Sequence, residues 1–122
     1  MFQDDLFTIL SEEKTDHMAD IAIRINSGHP IFSGHFPGDA ITPGVCIVQM
    51  AVDLFSHLMR EEYRLLRAKN VKFLRLIRPD EHETVRYHLS WEAAGDAMFS
   101  VKAVVDNDKA SFTKMSIQLV KA

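Results

Sequence analysis

A run of residues from Val45 to Met59 is apolar on nearly every side of a helix, and neither proline nor glycine interrupts it. Thr42 is suited to the N-cap and Pro43 to the first turn, so we predict that a helix begins here. The charged stretch REEYRLLRAK that follows keeps a helical spacing, which extends the predicted helix to about Arg67. A helix that is apolar all round must be enclosed by other structure.

The rest of the chain supplies strands that can enclose this helix. Residues 6–27 form two extended segments, the second with alternating apolar positions, and we interpret them as a hairpin. Four further strand-like runs follow the helix, and two of the turns between them are marked by Gly95–Asp96 and Asn107–Asp108. Their sequences are NVKFLRLIRP, ETVRYHLSWEA, AMFSVKAVVD and ASFTKMSIQLV. This order predicts one α+β domain over residues 1–122, in which an antiparallel sheet wraps a helix.

The segment between hairpin and helix, SGHPIFSGHFPGDAITPG, holds four of the five glycines and three of the four prolines. Such a composition is incompatible with a regular helix, and its fixed or permissive backbone angles are typical of an ordered loop held against a ligand. We therefore expect the functional site here.

Overall charge and composition exclude several functions. A net charge of −3 provides no general attraction for nucleic acid or an anionic membrane. No apolar stretch reaches the roughly 20 residues that span a bilayer. The single cysteine, Cys46, cannot form an internal disulfide, and the start of the sequence lacks a signal-peptide pattern, so we expect a cytoplasmic protein. The histidines show no metal-ligand spacing, and we expect neither a metal nor a cofactor.

The loop also carries a specific resemblance. GHFPGDAITPGV, residues 34–45, resembles the signature of the 3-hydroxyacyl-(acyl-carrier-protein) dehydratases of fatty-acid synthesis, approximately GHFPG(D/K)PVMPGV. NVKFLRLIRPDE resembles, more weakly, the strand that follows the central helix in that family. The resemblance implies a hotdog fold and a dimer, or a higher oligomer of dimers, with sites at the interface. It also implies a substrate carried as a thioester on acyl carrier protein or coenzyme A.

By position, His35 matches the family histidine that removes a proton beside the thioester carbonyl. A neutral imidazole is suited to this because its unperturbed pKa lies near about 6.5. The backbone N–H of Gly44 matches the group that polarises the carbonyl, and a helix N-terminus has such N–H groups free. The resemblance further assigns Phe36, Pro43 and Val45 to substrate binding.

The family's helix carboxylate is displaced in this chain. Gln49 stands where the family has Glu or Asp, and Asp53 stands where it commonly has Gln. Residues four apart share a helical face about 6 Å apart along the axis. Glutamine can orient a hydroxyl or water but cannot donate a proton as a carboxylic acid does. We keep His35, Gln49 and Asp53 as the candidate catalytic residues.

The remaining candidate residues are interpreted one by one. We expect His29 to be structural and Cys46 to be a small core residue. His57 continues the Gln49–Asp53 face, so it is either their hydrogen-bond partner or a solvated residue near the helix end. Phe55, with Leu58 and Met59, is a candidate for closing the acyl tunnel. Some basic residues are candidates for docking an acidic carrier protein: Arg64, Arg67, Lys69, Lys72, Arg75 and Arg78.

Three functions remain open at this point. The first is a dehydratase-like lyase that converts a 3-hydroxyacyl thioester to a trans-2-enoyl thioester. The second is a hotdog acyl-thioesterase in which Gln49 or Asp53 positions water. The third is a non-catalytic acyl-binding module or subunit that pairs with an active partner.

Overall fold

The computed structural model describes residues 2–35 and 40–122, without the side chains of residues 34 and 35. The elements lie in the order β1 (Phe7–Lys14), β2 (Met18–Ile25), α1 (Ile31–His35), α2 (Gly44–Met59), β3 (Tyr63–Phe73), β4 (Thr84–Gly95), β5 (Met98–Asp106) and β6 (Ser111–Lys121). The six strands form one antiparallel sheet in the order β1-β2-β4-β5-β6-β3. The predicted α+β architecture is confirmed.

The predicted hairpins follow from local sequence. β1 and β2 pair with Phe7 opposite Ile25, and β2 continues the pairing to β4. Turns at Gly95–Asp96 and at Asn107–Asp108 connect β4 to β5 and β5 to β6, as predicted. Asn107 stabilises its turn because its Oδ1 accepts hydrogen bonds from two backbone N–H groups, those of Lys109 and Ala110.

Helix α2 lies against the inner face of this sheet. Ten of its 16 residues are buried, which agrees with its apolar surface. The phenol of Tyr87, a fully buried residue of β4, donates a hydrogen bond of 2.9 Å to the carbonyl of Ile47 in α2. This contact ties the helix to the sheet, and burial raises the pKa of the Tyr87 phenol well above its ordinary value.

The prediction that the helix extends to Arg67 is wrong, because α2 ends at Met59. Arg60 adopts the left-handed conformation, and its N–H bonds the carbonyl of His57 while the N–H of Glu61 bonds that of Ser56. This is the Schellman pattern that terminates helices. The Ser56 hydroxyl then accepts a hydrogen bond of 3.0 Å from the N–H of Tyr63, the first residue of β3.

Three related predictions are also corrected. The strand after the helix covers Tyr63–Phe73, rather than residues 70–79, because the stretch from Tyr63 pairs with β6. Thr42 is not the N-cap of α2, since Pro43 holds that position in an extended conformation. The glycine- and proline-rich segment includes the short helix α1, although we expected no regular helix there.

The two edges of the sheet are β1 and β3. Several large apolar side chains are exposed along β3 and just beyond its end: Leu65, Leu66, Phe73, Leu74 and Leu76. An edge strand with exposed apolar residues is a surface on which another chain can add. Among the described residues, no helix is long and apolar enough to cross a membrane.

Candidate functional site

The N-terminus of α2 has N–H groups without a partner in the described part of the chain and lies close to the end of β3. The N–H groups of Cys46 and Ile47 bond the carbonyl of Pro43, whereas those of Gly44 and Val45 have no hydrogen-bond partner among the described residues. The ring of Phe73 packs directly on Gly44, where a Cβ would lie 2.7 Å from its Cζ. Gly44 therefore lets the end of β3 cover the first turn of the helix.

Gln49 and Asp53 are in direct contact one turn apart. The Nε2 of Gln49 donates a hydrogen bond of 2.8 Å to Oδ1 of Asp53. The backbone N–H of Phe2 donates one of 2.7 Å to the other oxygen, Oδ2. Asp53 is only 1% exposed, so both oxygens of a buried carboxyl group are satisfied by N–H donors. The predicted shared face of these two residues is confirmed.

The N-terminal segment that provides this N–H contacts two polar side chains of α2, those of Asp53 and His57. Phe2 packs against the core, and Nε2 of Gln3 lies 3.4 Å from Nδ1 of His57, one turn beyond Asp53. The other ring nitrogen of His57 lies 2.7 Å from Oε1 of Glu12 in β1. His57 thus connects β1 and the N-terminal segment to the helix, and neither expected role, partner of Gln49–Asp53 or solvated residue, describes these contacts.

His35 is the last residue of α1, whereas its side chain and all of Phe36 lie outside the described residues. The catalytic role of His35 therefore stays a prediction. His29 stabilises the start of α1, because its Nδ1 accepts a hydrogen bond of 3.0 Å from the N–H of Ile31 while its Nε2 lies 3.2 Å from Oδ2 of Asp5. These contacts agree with the structural role expected of it.

Pro43 and Val45, the other predicted binding residues, flank Gly44, and Val45 is 77% exposed. Phe55 is fully buried, and its ring meets those of Tyr63, Trp91 and Phe99 at centroid distances of 5.0, 5.6 and 5.3 Å. Cys46 is buried, and burial raises the pKa of its thiol, as expected for a core residue.

Sequence reasoning missed three features of this region. The Phe2 backbone N–H has no sequence signal, because every residue except proline carries one. The contact of Phe73 with Gly44 was also missed, although an apolar residue at the end of an edge strand is a weak indication. Finally, the hydroxyls of Thr42 and Thr113 are buried without a hydrogen-bond partner among the described residues. Thr113 lies opposite Phe73 in the sheet, which places it near this end of α2.

An antiparallel sheet wrapped around a helix that starts at a glycine-rich loop defines a hotdog domain, and similar solved structures have this fold. A chain of the dehydratase heterocomplex ApeI:P from Xenorhabdus doucetiae aligns with a TM-score of 0.73 at 19% identity, over 93% of this chain and 97% of that one. A thioesterase from Haemophilus influenzae aligns with a TM-score of 0.62 at 12% identity, over 96% and 79%.

Sequence comparison identifies the family within this fold. The model of the ApeI-like family, described as ApeI dehydratase, matches residues 11–114, so the chain belongs to the ApeI-like dehydratase family. The 3-hydroxyacyl-(acyl-carrier-protein) dehydratase FabZ of Pasteurella multocida is 30% identical over 91 residues, 68% of this chain and 60% of that protein. The FabZ of Rickettsia felis is 24% identical over 104 residues, 79% and 72%.

Proposed function

We propose that this protein is a dehydratase-type lyase subunit that acts on 3-hydroxyacyl thioesters carried by acyl carrier protein or coenzyme A. The observation that carries the proposal is the helix N-terminus at Gly44, where two N–H groups without a partner among the described residues follow the His35 motif directly in the chain. Free N–H groups at a helix start stabilise the negative charge that develops on a thioester oxygen. We infer that Phe36, Pro43 and Val45 contribute to substrate binding.

In the proposed reaction, His35 removes a proton from the carbon beside the thioester carbonyl, and the resulting enolate is stabilised at Gly44. Loss of the 3-hydroxyl as water then needs a proton donor. Gln49 cannot supply one, and Asp53 already accepts two hydrogen bonds from N–H groups in a buried position. The described residues of this protomer therefore favour a subunit whose own helix lacks the acid.

The donor is then best supplied by another subunit. The edge strand β3 exposes Leu65 and Leu66, and its register with β6 is interrupted at Leu66 and again at Lys69. We propose that β3 pairs with the corresponding edge of a second hotdog chain and joins the two sheets. In a homodimer each His35 would face a Gln49. In a heterodimer with an acid-bearing hotdog subunit, His35 would meet a carboxylic acid, which is the arrangement that Gln49 favours.

Exposed basic residues support delivery of the substrate on an acidic carrier, because complementary charge guides such encounters. Those on β3 are Arg64, Arg67, Lys69 and Lys72.

We also place the protein in the cytoplasm, in agreement with a single, buried and unpaired cysteine.

The activity is tested by incubating the purified protein with a 3-hydroxyacyl pantetheine thioester and following enoyl absorbance and free thiol separately. Because Gln49 supplies no acid, the Gln49→Glu variant is assayed beside the wild type. Enoyl product from either supports the lyase, free thiol indicates a thioesterase, and no product from both indicates a binding subunit. His35→Ala should lower a measured lyase rate by about 10²–10⁴-fold, the usual contribution of a general base. His17→Ala, which changes an exposed histidine between β1 and β2, is the matched control.

The interface is tested with two matched leucines. Leu66 on β3 is 43% exposed, and Leu10 on β1 is 46% exposed, and each stands at a break in the register of its edge strand. Leu66→Glu should weaken dimerisation at least about tenfold, because a charge in an apolar interface loses its hydration. Leu10→Glu should leave it unchanged. A wild-type monomer by light scattering at micromolar concentration would refute the homodimer.

A further inference from the structure

Only one of the two polar atoms of the Gln49 amide bonds another described residue. Its Nε2 bonds Asp53, whereas its Oε1 has no hydrogen-bond partner among the described residues. The side chain is half-buried, so this oxygen is available to a bound molecule without being fully hydrated. The resemblance places the reactive carboxylic acid of a dehydratase at this same position.

Asp53 decides which end of the Gln49 amide is presented. A carboxylate accepts hydrogen bonds and donates none, so it faces the NH₂ end of a neighbouring amide. Its second oxygen receives the N–H of Phe2, whose position is held by the packing of Phe2 on the core. Each oxygen of Asp53 accepts a hydrogen bond from one of these two donors. If the Gln49 amide flipped, its Oε1 would therefore face Oδ1 of Asp53.

We propose that Gln49 presents its carbonyl oxygen Oε1 to the substrate as a hydrogen-bond acceptor, and that Asp53 is the positioning residue that fixes this orientation. The proposal rests on the proposed function for the identity of the ligand. An acceptor selects a donor, so the site binds acyl chains with a hydroxyl at carbon 3 in preference to those with a carbonyl there. It selects the substrate of a dehydration without supplying the proton that completes it.

The Asp53→Asn variant removes this selectivity. Asparagine has one oxygen, which the Phe2 N–H requires, so its NH₂ group turns toward Gln49. Gln49 must then offer Oε1 to residue 53 and present Nε2 outward. A donor at this point bonds a 3-oxo group and a 3-hydroxyl group alike, because both accept hydrogen bonds. A purely structural Asp53 would change the affinity for both ligands equally.

The experiment uses calorimetric titration of the dimeric protein with amide analogues of pantetheine thioesters, which resist elimination and hydrolysis. The probes are the 3-hydroxyhexanoyl and 3-oxohexanoyl forms. Wild-type protein should bind the 3-hydroxy form about fivefold more tightly, since one hydrogen bond contributes about 1 kcal/mol and about 1.4 kcal/mol corresponds to tenfold. Gln49→Met should bring the ratio of affinities near one by weakening the binding of the 3-hydroxy form, and Asp53→Asn should bring it near one by strengthening the binding of the 3-oxo form.

The control is His57→Gln, which alters a contact of the same N-terminal segment one turn away and should leave the ratio unchanged. A wild-type ratio near one would overturn the proposal. An unchanged ratio in Asp53→Asn would overturn the role of Asp53. Selectivity with no enoyl product from either the wild type or Gln49→Glu would refute the lyase function while supporting this inference, whereas enoyl product without selectivity would do the reverse.

Discussion

Two polar clusters in this protein use the same chemical groups in opposite surroundings. On α2, Asp53 is buried and bonded to Gln49 and to the Phe2 backbone. On the outer face of the sheet, His88 of β4 lies between two carboxylates, with Nδ1 2.7 Å from Asp20 of β2 and Nε2 2.8 Å from Asp106 of β5. The first cluster lies at the candidate site, and the second joins three strands in contact with solvent.

Burial makes the difference between them. An unpaired polar group in the interior costs free energy, so the α2 cluster favours one arrangement and removal of a partner leaves an unsatisfied group. Water replaces a lost partner on the outer face, where the side chains of Asp20 and His88 are 62% and 37% exposed. The buried cluster can therefore orient a ligand, whereas the exposed cluster mainly adjusts stability with pH. Four measurements test this contrast.

The largest effect is expected for the identity of residue 49. Gln49→Glu puts a carboxyl group beside Asp53, and because two adjacent carboxylates cannot both ionise readily, one proton is retained for the departing hydroxyl. We expect the dehydration rate to rise by about 10²-fold or more, measured as enoyl thioester absorbance. The double variant with Asp53→Asn removes the neighbouring charge that helps to retain this proton, so its gain should be smaller. No gain in folded, dimeric proteins would contradict an acid role at residue 49.

The next effect concerns the stability contributed by Asp53. Asp53→Ala leaves the Phe2 N–H and the Gln49 amide without their acceptor, and we expect the free energy of unfolding to fall by about 3 kcal/mol. Asp53→Asn can pair with both groups and should lose about 1 kcal/mol or less. Urea denaturation followed by circular dichroism measures both values. Equal losses in the two variants would show that packing, rather than hydrogen bonding, determines the contribution of residue 53.

A smaller loss is expected where one buried contact is removed without a change in shape. Tyr87→Phe deletes the hydroxyl that bonds the Ile47 carbonyl, and we expect about 1 kcal/mol of destabilisation. The dependence of the unfolding free energy on urea concentration should keep its slope, because the same surface is exposed on unfolding. A stabilised variant would mean that desolvation of this hydroxyl outweighs its hydrogen bond.

The smallest effect belongs to His88. Burial lowers its pKa, but hydrogen bonds to Asp20 and Asp106 and the charges of both carboxylates outweigh burial and raise the pKa. Both ring nitrogens donate only in the protonated form. The stabilisation is therefore complete below the unfolded pKa of about 6.5 and disappears as pH rises through the raised folded pKa.

We expect the difference in unfolding free energy between wild-type protein and His88→Gln to decrease from pH 5.5 to pH 8.5. The change should stay under about 1 kcal/mol, because solvent screens a partly exposed cluster. Urea denaturation of both proteins at the two pH values measures it, and other titrating groups cancel in the comparison. A difference that grows with pH would contradict the assignment.

Local patterns were sufficient to predict much of this fold. Apolar residues on every side of residues 45–59 predicted an enclosed helix, and alternation with turn residues predicted the hairpins, because both depend on spacings of a few residues. The GHFPGDAITPGV motif predicted the family, and the spacing of Gln49 and Asp53 predicted their shared face. The roles assigned to His35 and Phe36 stay predictions.

Other features depended on contacts between distant parts of the chain. Residues 60–69 have a spacing compatible with a helix, yet Tyr63 and its successors pair with β6, about 50 residues later, and that pairing outweighs local preference. The second hydrogen-bond partner of Asp53, beside Gln49, is the backbone N–H of Phe2. It lies 51 residues away, and no side-chain pattern marks it. Local propensity amounts to a few tenths of a kcal/mol per residue, whereas burial and long-range hydrogen bonding contribute more at each position, so where α2 ends and what Asp53 binds were decided only when the whole chain had folded.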